Sequence, residues 1–227
     1  MKSSLKYIAA ALVSAAIASG AQASVTTLSA TANSTLLEGK AGNGRSDVLA
    51  SEYGTEQNDA NSVWLSVLKF DLSSLAGMNV SSATLNLTTF LNHSNSPYLH
   101  QVYSSSDDGW TEASITGLNM PATSTLTLLS ATAIDGTSGT YSWNVLSGVT
   151  GQNGLSGNKI LTLLVKPDLS QAGTAYGPHF YERTALSGAP SLTLDVSPVP
   201  EPESWAMFAA GLAAVGALAR KRKAAAR

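Results

Sequence analysis

The 227 residues carry 13 Lys and Arg against 15 Asp and Glu, a formal charge of −2, and only 12% are charged, about half the share in an ordinary soluble domain. Seven of the bases lie at the two ends, so residues 24–197 hold thirteen acids and six bases, a formal charge of −7, which gives no electrostatic reason to bind nucleic acid. There is no cysteine, which excludes disulfides, thiolate metal sites and thiol catalysis.

The first element in the chain is an addressing segment. Lys2 and Lys6 flank the start of an apolar run from Tyr7 to Ala18, and Gly20-Ala21-Gln22-Ala23 follows. A basic region, an apolar region and an A-x-A site in this order predict a secretion signal over 1–23, cut by signal peptidase between Ala23 and Ser24. Strand character then recurs at Val63 to Phe70, Ala83 to Phe90, Leu126 to Ala133, Lys159 to Lys166 and Ser191 to Val196. Leu85 and Leu87 alternate with Thr84, Asn86 and Thr88, and Leu192, Leu194 and Val196 with Thr193 and Asp195. Period two marks strands with one face buried and one wet. Gly42-Asn43-Gly44, Asp108-Gly109, Asp135-Gly136 and Gly151-Gln152-Asn153-Gly154 supply the turns. Short strands punctuated this way, with no sustained helical period between the two ends, predict an all-β domain over 24–197, a jelly roll or β-sandwich.

The last element spans 198–227. Pro200-Glu201-Pro202 precedes an apolar stretch from Trp205 to Ala219 and a basic tail over 220–227 that opens Arg220-Lys221-Arg222-Lys223. As a helix, the 15 apolar residues rise about 1.5 Å each, short of a ~30 Å hydrocarbon core, so a transmembrane helix here is a short one. Basic residues favour the cytoplasmic side, which puts the prolines outside. Tripeptide, short span and basic cluster together resemble the PEP-CTERM sorting signal of Gram-negative bacteria. That resemblance implies processing by exosortase, a membrane-embedded transpeptidase, and contact with the membrane only through the tail before processing.

Within the middle domain, Lys69-Phe70-Asp71-Leu72-Ser73-Ser74-Leu75 and Val80-Ser81-Ser82-Ala83-Thr84-Leu85 come first. Trp110-Thr111-Glu112 with Ile115-Thr116 and Pro121, then Tyr141 to Val145, then Phe180-Tyr181-Glu182-Arg183 and Pro190-Ser191-Leu192 follow in order. Together they resemble the DNRLRE (disaggregatase-related) domain. The resemblance implies a jelly-roll module related to carbohydrate-binding modules, some of which act on alginate-like polysaccharides.

Asp107, Asp108 and Glu112, beside Trp110, are the best candidates for chemistry. Three readings stay open: a turn with a core tryptophan, oxygen ligands for calcium, or paired carboxylates for glycoside hydrolysis. No cofactor is required, and calcium is the candidate metal. Trp110, Tyr181 and Arg183 are the candidate ligand contacts, since aromatic faces cover sugar rings and Glu182 and Arg183 either pair at a sheet edge or meet a sugar. His93, His100 and His179 stand isolated in the sequence and read as surface or cross-strand residues. The chain has no G-x-S-x-G elbow, H-E-x-x-H pair or phosphate loop. The resulting expectation is a non-enzymatic, exported cell-surface or extracellular-matrix protein with polysaccharide as its partner. A polysaccharide lyase or hydrolase, and a matrix protein without sugar specificity, are the alternatives.

Overall fold

A computed structural model of the chain describes residues 22–42, 44–54, 61–92, 97–152, 154–170, 177–199, 209–217 and 220. The chain divides into two compact units, and the larger, Val25–Ala76 with Val80–Val196, is an all-β sandwich. Its strands are numbered along the chain. One sheet runs β1 (Ser24–Ser29), β12 (Ser191–Pro198), β6 (Met78–Asn92), β11 (Pro178–Phe180) and β3 (Leu49–Ala50), with β9 (Thr140–Asn144) also paired to β6. The other runs β2 (Ala32–Leu37), β5 (Val63–Asp71), β10 (Ile160–Pro167), β7 (Tyr98–Ser105) and β8 (Leu126–Ile134), with β4 (Glu52–Tyr53) also on β5. Neighbouring strands pair antiparallel, for example Leu85 opposite Trp143 and Leu163 opposite Leu68.

The alternation expected from the sequence is what builds the first sheet. Leu85 and Leu87 of β6 and Leu192, Leu194 and Val196 of β12 are buried, with Thr84, Asn86, Thr88 and Thr193 between them half-exposed. They meet Leu68 and Phe70 of β5 and Leu161, Leu163 and Val165 of β10 across the interior. Trp143 and Phe180 cross edge to face at 6.2 Å in this core. Such a T-shaped pair adds to the burial of both rings.

Strand β10 breaks the alternation because both of its faces are covered. Thr162 and Leu164 point away from the main core and are still fully buried. The chain between β7 and β8 folds over that outer face, where Trp110 and Ile115 join Leu36, Leu65, Val67 and Leu164 in a second, smaller core. This lid lies so close to the end of β2 that a Cβ on Gly117 would sit 1.8 Å from the Leu37 carbonyl oxygen, so no side chain fits there. At the sandwich edge, the Ser130 and Thr132 hydroxyls of β8 donate to the Asn144 and Ser142 carbonyls of β9 at 2.8 and 2.6 Å. Outward carbonyls of an edge strand are thereby satisfied, which blunts the edge for pairing with another chain.

Of the two places expected for His100, surface or cross-strand, it takes the second, opposite Thr132 of β8 and Pro167 of β10. It is fully buried in β7, its Nδ1 is 2.8 Å from the Ser51 hydroxyl, and its backbone carbonyl accepts the Trp143 indole N–H at 2.8 Å. Nε2 has no partner among the described residues. Burial holds the ring neutral, pushing its pKa down to about 3. A five-residue helix at Leu146–Thr150 lies outside the expected pattern.

In the smaller unit, the Val199 N–H donates to the Gly77 carbonyl at 3.2 Å, and residues 209–217 form a helix. Among the described residues, no helix is long and apolar enough to cross a membrane.

Candidate functional site

Asn33 of β2 is the anchor of the polar site. It is fully buried, and three distant segments converge on it. Its backbone N–H donates to Glu112 Oε1 at 2.8 Å, its side-chain amide donates to the Ser46 carbonyl at 3.1 Å, and its Oδ1 accepts the Arg183 N–H at 3.0 Å. Arg183 closes the circuit through a two-point bridge to Glu112, with Nε to Oε1 at 2.7 Å and Nη2 to Oε2 at 3.1 Å. A planar fork matched to a carboxylate is the strongest common ion-pair geometry. The guanidinium holds the Glu112 carboxyl below its ordinary range, with the Asn33 N–H adding to the effect against the opposing pull of burial. Glu112 in turn raises the pKa of Arg183.

Ser46, Asp47, Glu112, Glu182, Arg183 and Thr184 line an open cleft of about 310 Å³ around this bridge. Glu182 does not pair with Arg183. Its carboxylate accepts the Thr184 N–H and hydroxyl at 2.6 and 2.7 Å, while Asp47 takes Arg45 at 3.0 Å.

Trp110 is only 6% exposed. Its indole N–H donates to the Thr162 hydroxyl at 3.2 Å, and the Lys69 ammonium sits 4.5 Å from the ring centroid. The same ammonium donates to the Asp108 and Trp110 carbonyls at 2.7 and 2.6 Å. With its ring in the smaller core and a cation over it, Trp110 offers no open face for a sugar, so the expectation of a ligand contact there gives way to a lid anchor.

Asp107 and Asp108 do not gather with Glu112. Asp107 Oδ1 accepts the Gly109 N–H at 3.3 Å, as an Asx turn does, and Asp108 Oδ2 accepts from Asn158. Among the described residues no three His, Asp or Glu side chains stand together as metal ligands. The calcium set Asp107, Asp108 and Glu112 is therefore split by the geometry, the first two shaping the turn and the third clamping Arg183.

Tyr181 lies on an exposed aromatic shelf. Its ring centroid is 5.2 Å from that of Phe90, and the His179 ring centroid is 6.0 Å from Phe90. Phe90 and Tyr181 remain 43% and 37% exposed, although rings of this size gain most from being covered. A Cβ on Gly188 would fall 2.7 Å from the Tyr181 ring, and its φ of +77° also requires glycine. The shelf is therefore built around that turn. Phe90 and Asn33 were not expected from the sequence. Phe90 has a signal there, since it continues the outward series Thr84, Asn86, Thr88 with a large ring.

Ala23 is exposed and Ser24 begins β1. Pro200, Glu201 and Pro202 lie outside the described residues, as do residues 1–21 of the signal segment and His93. No curated protein matches the chain. Residues 198–223 match the PEP-CTERM protein-sorting motif, which points to export to the surface of a Gram-negative cell. Residues 24–193, 170 of the 227, match the family model described as carbohydrate-binding module family 96. That span takes in the lid, the Asn33 circuit, the aromatic shelf and all of the sandwich but the end of β12, and the chain belongs to carbohydrate-binding module family 96.

Proposed function

We propose that the sandwich holds an extracellular polysaccharide against the Phe90–Tyr181 shelf and acts without catalysis at the cell surface or in the surrounding polymer matrix. The observation that carries this is the exposed ring pair at 5.2 Å, for which Gly188, having no Cβ, leaves room beside Tyr181. Ring faces of this kind cover the apolar faces of pyranoses, and polar groups beside them fix orientation. Family membership supports the ligand class, and the sorting motif supports delivery by exosortase; the cut at Ala23–Ser24 rests on the A-x-A site alone.

The cleft at Arg183 favours binding over hydrolysis. A general acid needs a proton to give near neutral pH, whereas Glu112 is held ionised by Arg183 and the Asn33 N–H. A glycan array probed with the full-length chain and with Tyr181→Ala tests the proposal. Wild type should bind a defined group of glycans and the variant about tenfold more weakly, equivalent to roughly 1.4 kcal/mol. Equal binding by the two proteins, or release of shortened sugars by wild type, would count against it.

A further inference from the structure

The margins of the two sheets are closed in different ways. Strands β3 and β4 are two residues long, too short to template another chain. The Ser130 and Thr132 hydroxyls tie β8 to the carbonyls of β9. Along β2, Thr35 exchanges both backbone hydrogen bonds with Arg45 at 2.6 and 2.9 Å, and its hydroxyl meets the Val48 carbonyl and the Ala50 N–H. The exception is β1. It ends the first sheet, with β12 on one side and no strand on the other among the described residues.

Nothing in its sequence guards that edge. Edge strands are ordinarily protected by charge, proline, bulges or brevity, whereas β1 reads SVTTLS and residues 24–37 hold neither a charge nor a proline. Three β-branched residues in a row, Val25, Thr26 and Thr27, favour the extended form. Leu28 packs against the main core, while Val25, Thr27 and Ser29 are exposed, Val25 by 69%. The expected signal-peptidase cut makes Ser24 the first residue, so the mature chain keeps no upstream segment to cover the edge.

We propose that β1 docks a second copy of this chain, the two β1 strands pairing antiparallel about a two-fold axis. An edge without charge takes a strand without charge, and β1 is itself such a strand. With one face turned to the core, outward residues of the two copies must lie opposite each other, which sets Thr27 against its own counterpart and Val25 against Ser29. Antiparallel order also sends the two Ser24 ammonium groups to opposite ends of the pair. Asp195 stands on the outward side of β12, but its two copies lie at least three strand spacings apart, about 14 Å. That exceeds the roughly 8 Å over which charges act in physiological salt. The dimer is independent of the carbohydrate reading; where that reading holds, it joins two shelves in one particle for a repeating polymer. A single strand pair is a small interface, so association is expected in the upper micromolar range.

Sedimentation velocity of the processed protein recovered from the medium, from about 1 to about 300 μM, tests this. Wild type is compared with Thr27→Lys, with Thr27→Glu and with an equal mixture of the two variants. Like charges directly opposite each other disrupt a strand pair, and opposite charges support it. Wild type should pass from monomer to dimer as concentration rises, each variant alone should dimerise at least tenfold more weakly, and the mixture should recover the dimer. All three proteins should melt within a few degrees of one another. A wild type that stays monomeric throughout would overturn the proposal, and glycan binding by that monomer would leave the carbohydrate reading standing. Dimers that ignore both variants, or a mixture as monomeric as its components, would overturn the pairing through β1. A monomeric wild type that loses a co-purifying protein on Thr27→Lys would overturn self-pairing in favour of a different chain.

Discussion

Acid should destabilise this protein well before its carboxylates titrate, and His100 is the cause. An unfolded histidine has a pKa near 6.5, whereas the buried ring is held down to about 3. Because the folded value is the lower one, the unfolded chain binds the proton first. Stability is therefore complete above about pH 6.5 and drains away as pH falls toward 3. One group with these two values removes roughly 2 kcal/mol between pH 7 and pH 5, and roughly 4 kcal/mol by pH 3. The depressed carboxylates act in the same direction but lower on the scale. Glu112 and Asp135, the latter held at about 2 by Thr137 and Tyr141, give up their share only below the ordinary carboxylate range near pH 4. Urea unfolding of wild type and His100→Gln at pH 7, 6 and 5 isolates the term, since glutamine has no charge to gain. The wild-type free energy should fall by about 2 kcal/mol over this range, and the variant's should fall far less. An NMR titration of the His100 ring should show the neutral form down to pH 4. Parallel pH profiles for the two proteins, or a ring that titrates near 6.5 in the folded state, would refute the reasoning.

The lid and the tail yield further expectations. Lys69→Met removes two charge-assisted hydrogen bonds to the Asp108 and Trp110 carbonyls, which should cost roughly 2–3 kcal/mol in urea unfolding. Protease cleavage between 106 and 122 should rise in the same variant as the lid loosens. Calcium and chelator should both leave the melting temperature unchanged, because the Asp107, Asp108 and Glu112 carboxylates do not converge. A calcium-dependent rise of several degrees would show otherwise. Replacing Pro200, Glu201 and Pro202 by alanine should leave export intact and hold the protein in the inner membrane. Intact mass of the wild-type extracellular form should begin at Ser24 and lack Arg220 to Arg227.

Much of the sandwich was legible because its strands carry their burial in their own letters. Leu85 and Leu87, or Leu192 and Leu194, can satisfy alternation only by facing a core. Strand β10 was legible as a strand but not as a two-sided one, since what covers Leu164 is a lid starting more than 40 residues earlier. The site was less legible for the same physical reason. Glu112 and Arg183 are 71 positions apart, and Arg183 and Asn33 are 150 apart, so no local pattern announces that they meet. Sequence proximity instead suggested Asp107, Asp108 and Glu112 as one cluster, but the lid turns between them and sends their carboxylates to different partners. Trp110 carried a clear signal as an aromatic, and only its burial decides between core and platform. His100 sits in a strand whose inward and outward positions are both mixed in character, so its burial could not be read from YLHQVYSS. Tyr181 was legible as an aromatic near the site, but its partner Phe90 comes from a different strand.

The most direct measurement of the central claim is retention of the full-length chain by exopolysaccharide purified from its own bacterium. Wild type, Phe90→Ala and Tyr181→Ala should be compared by co-sedimentation at fixed polymer. The account predicts that wild type sediments with the polymer, that each variant loses about tenfold in affinity, and that all three melt within a few degrees of one another. Absence of co-sedimentation by wild type, or undiminished co-sedimentation by both variants, would contradict it.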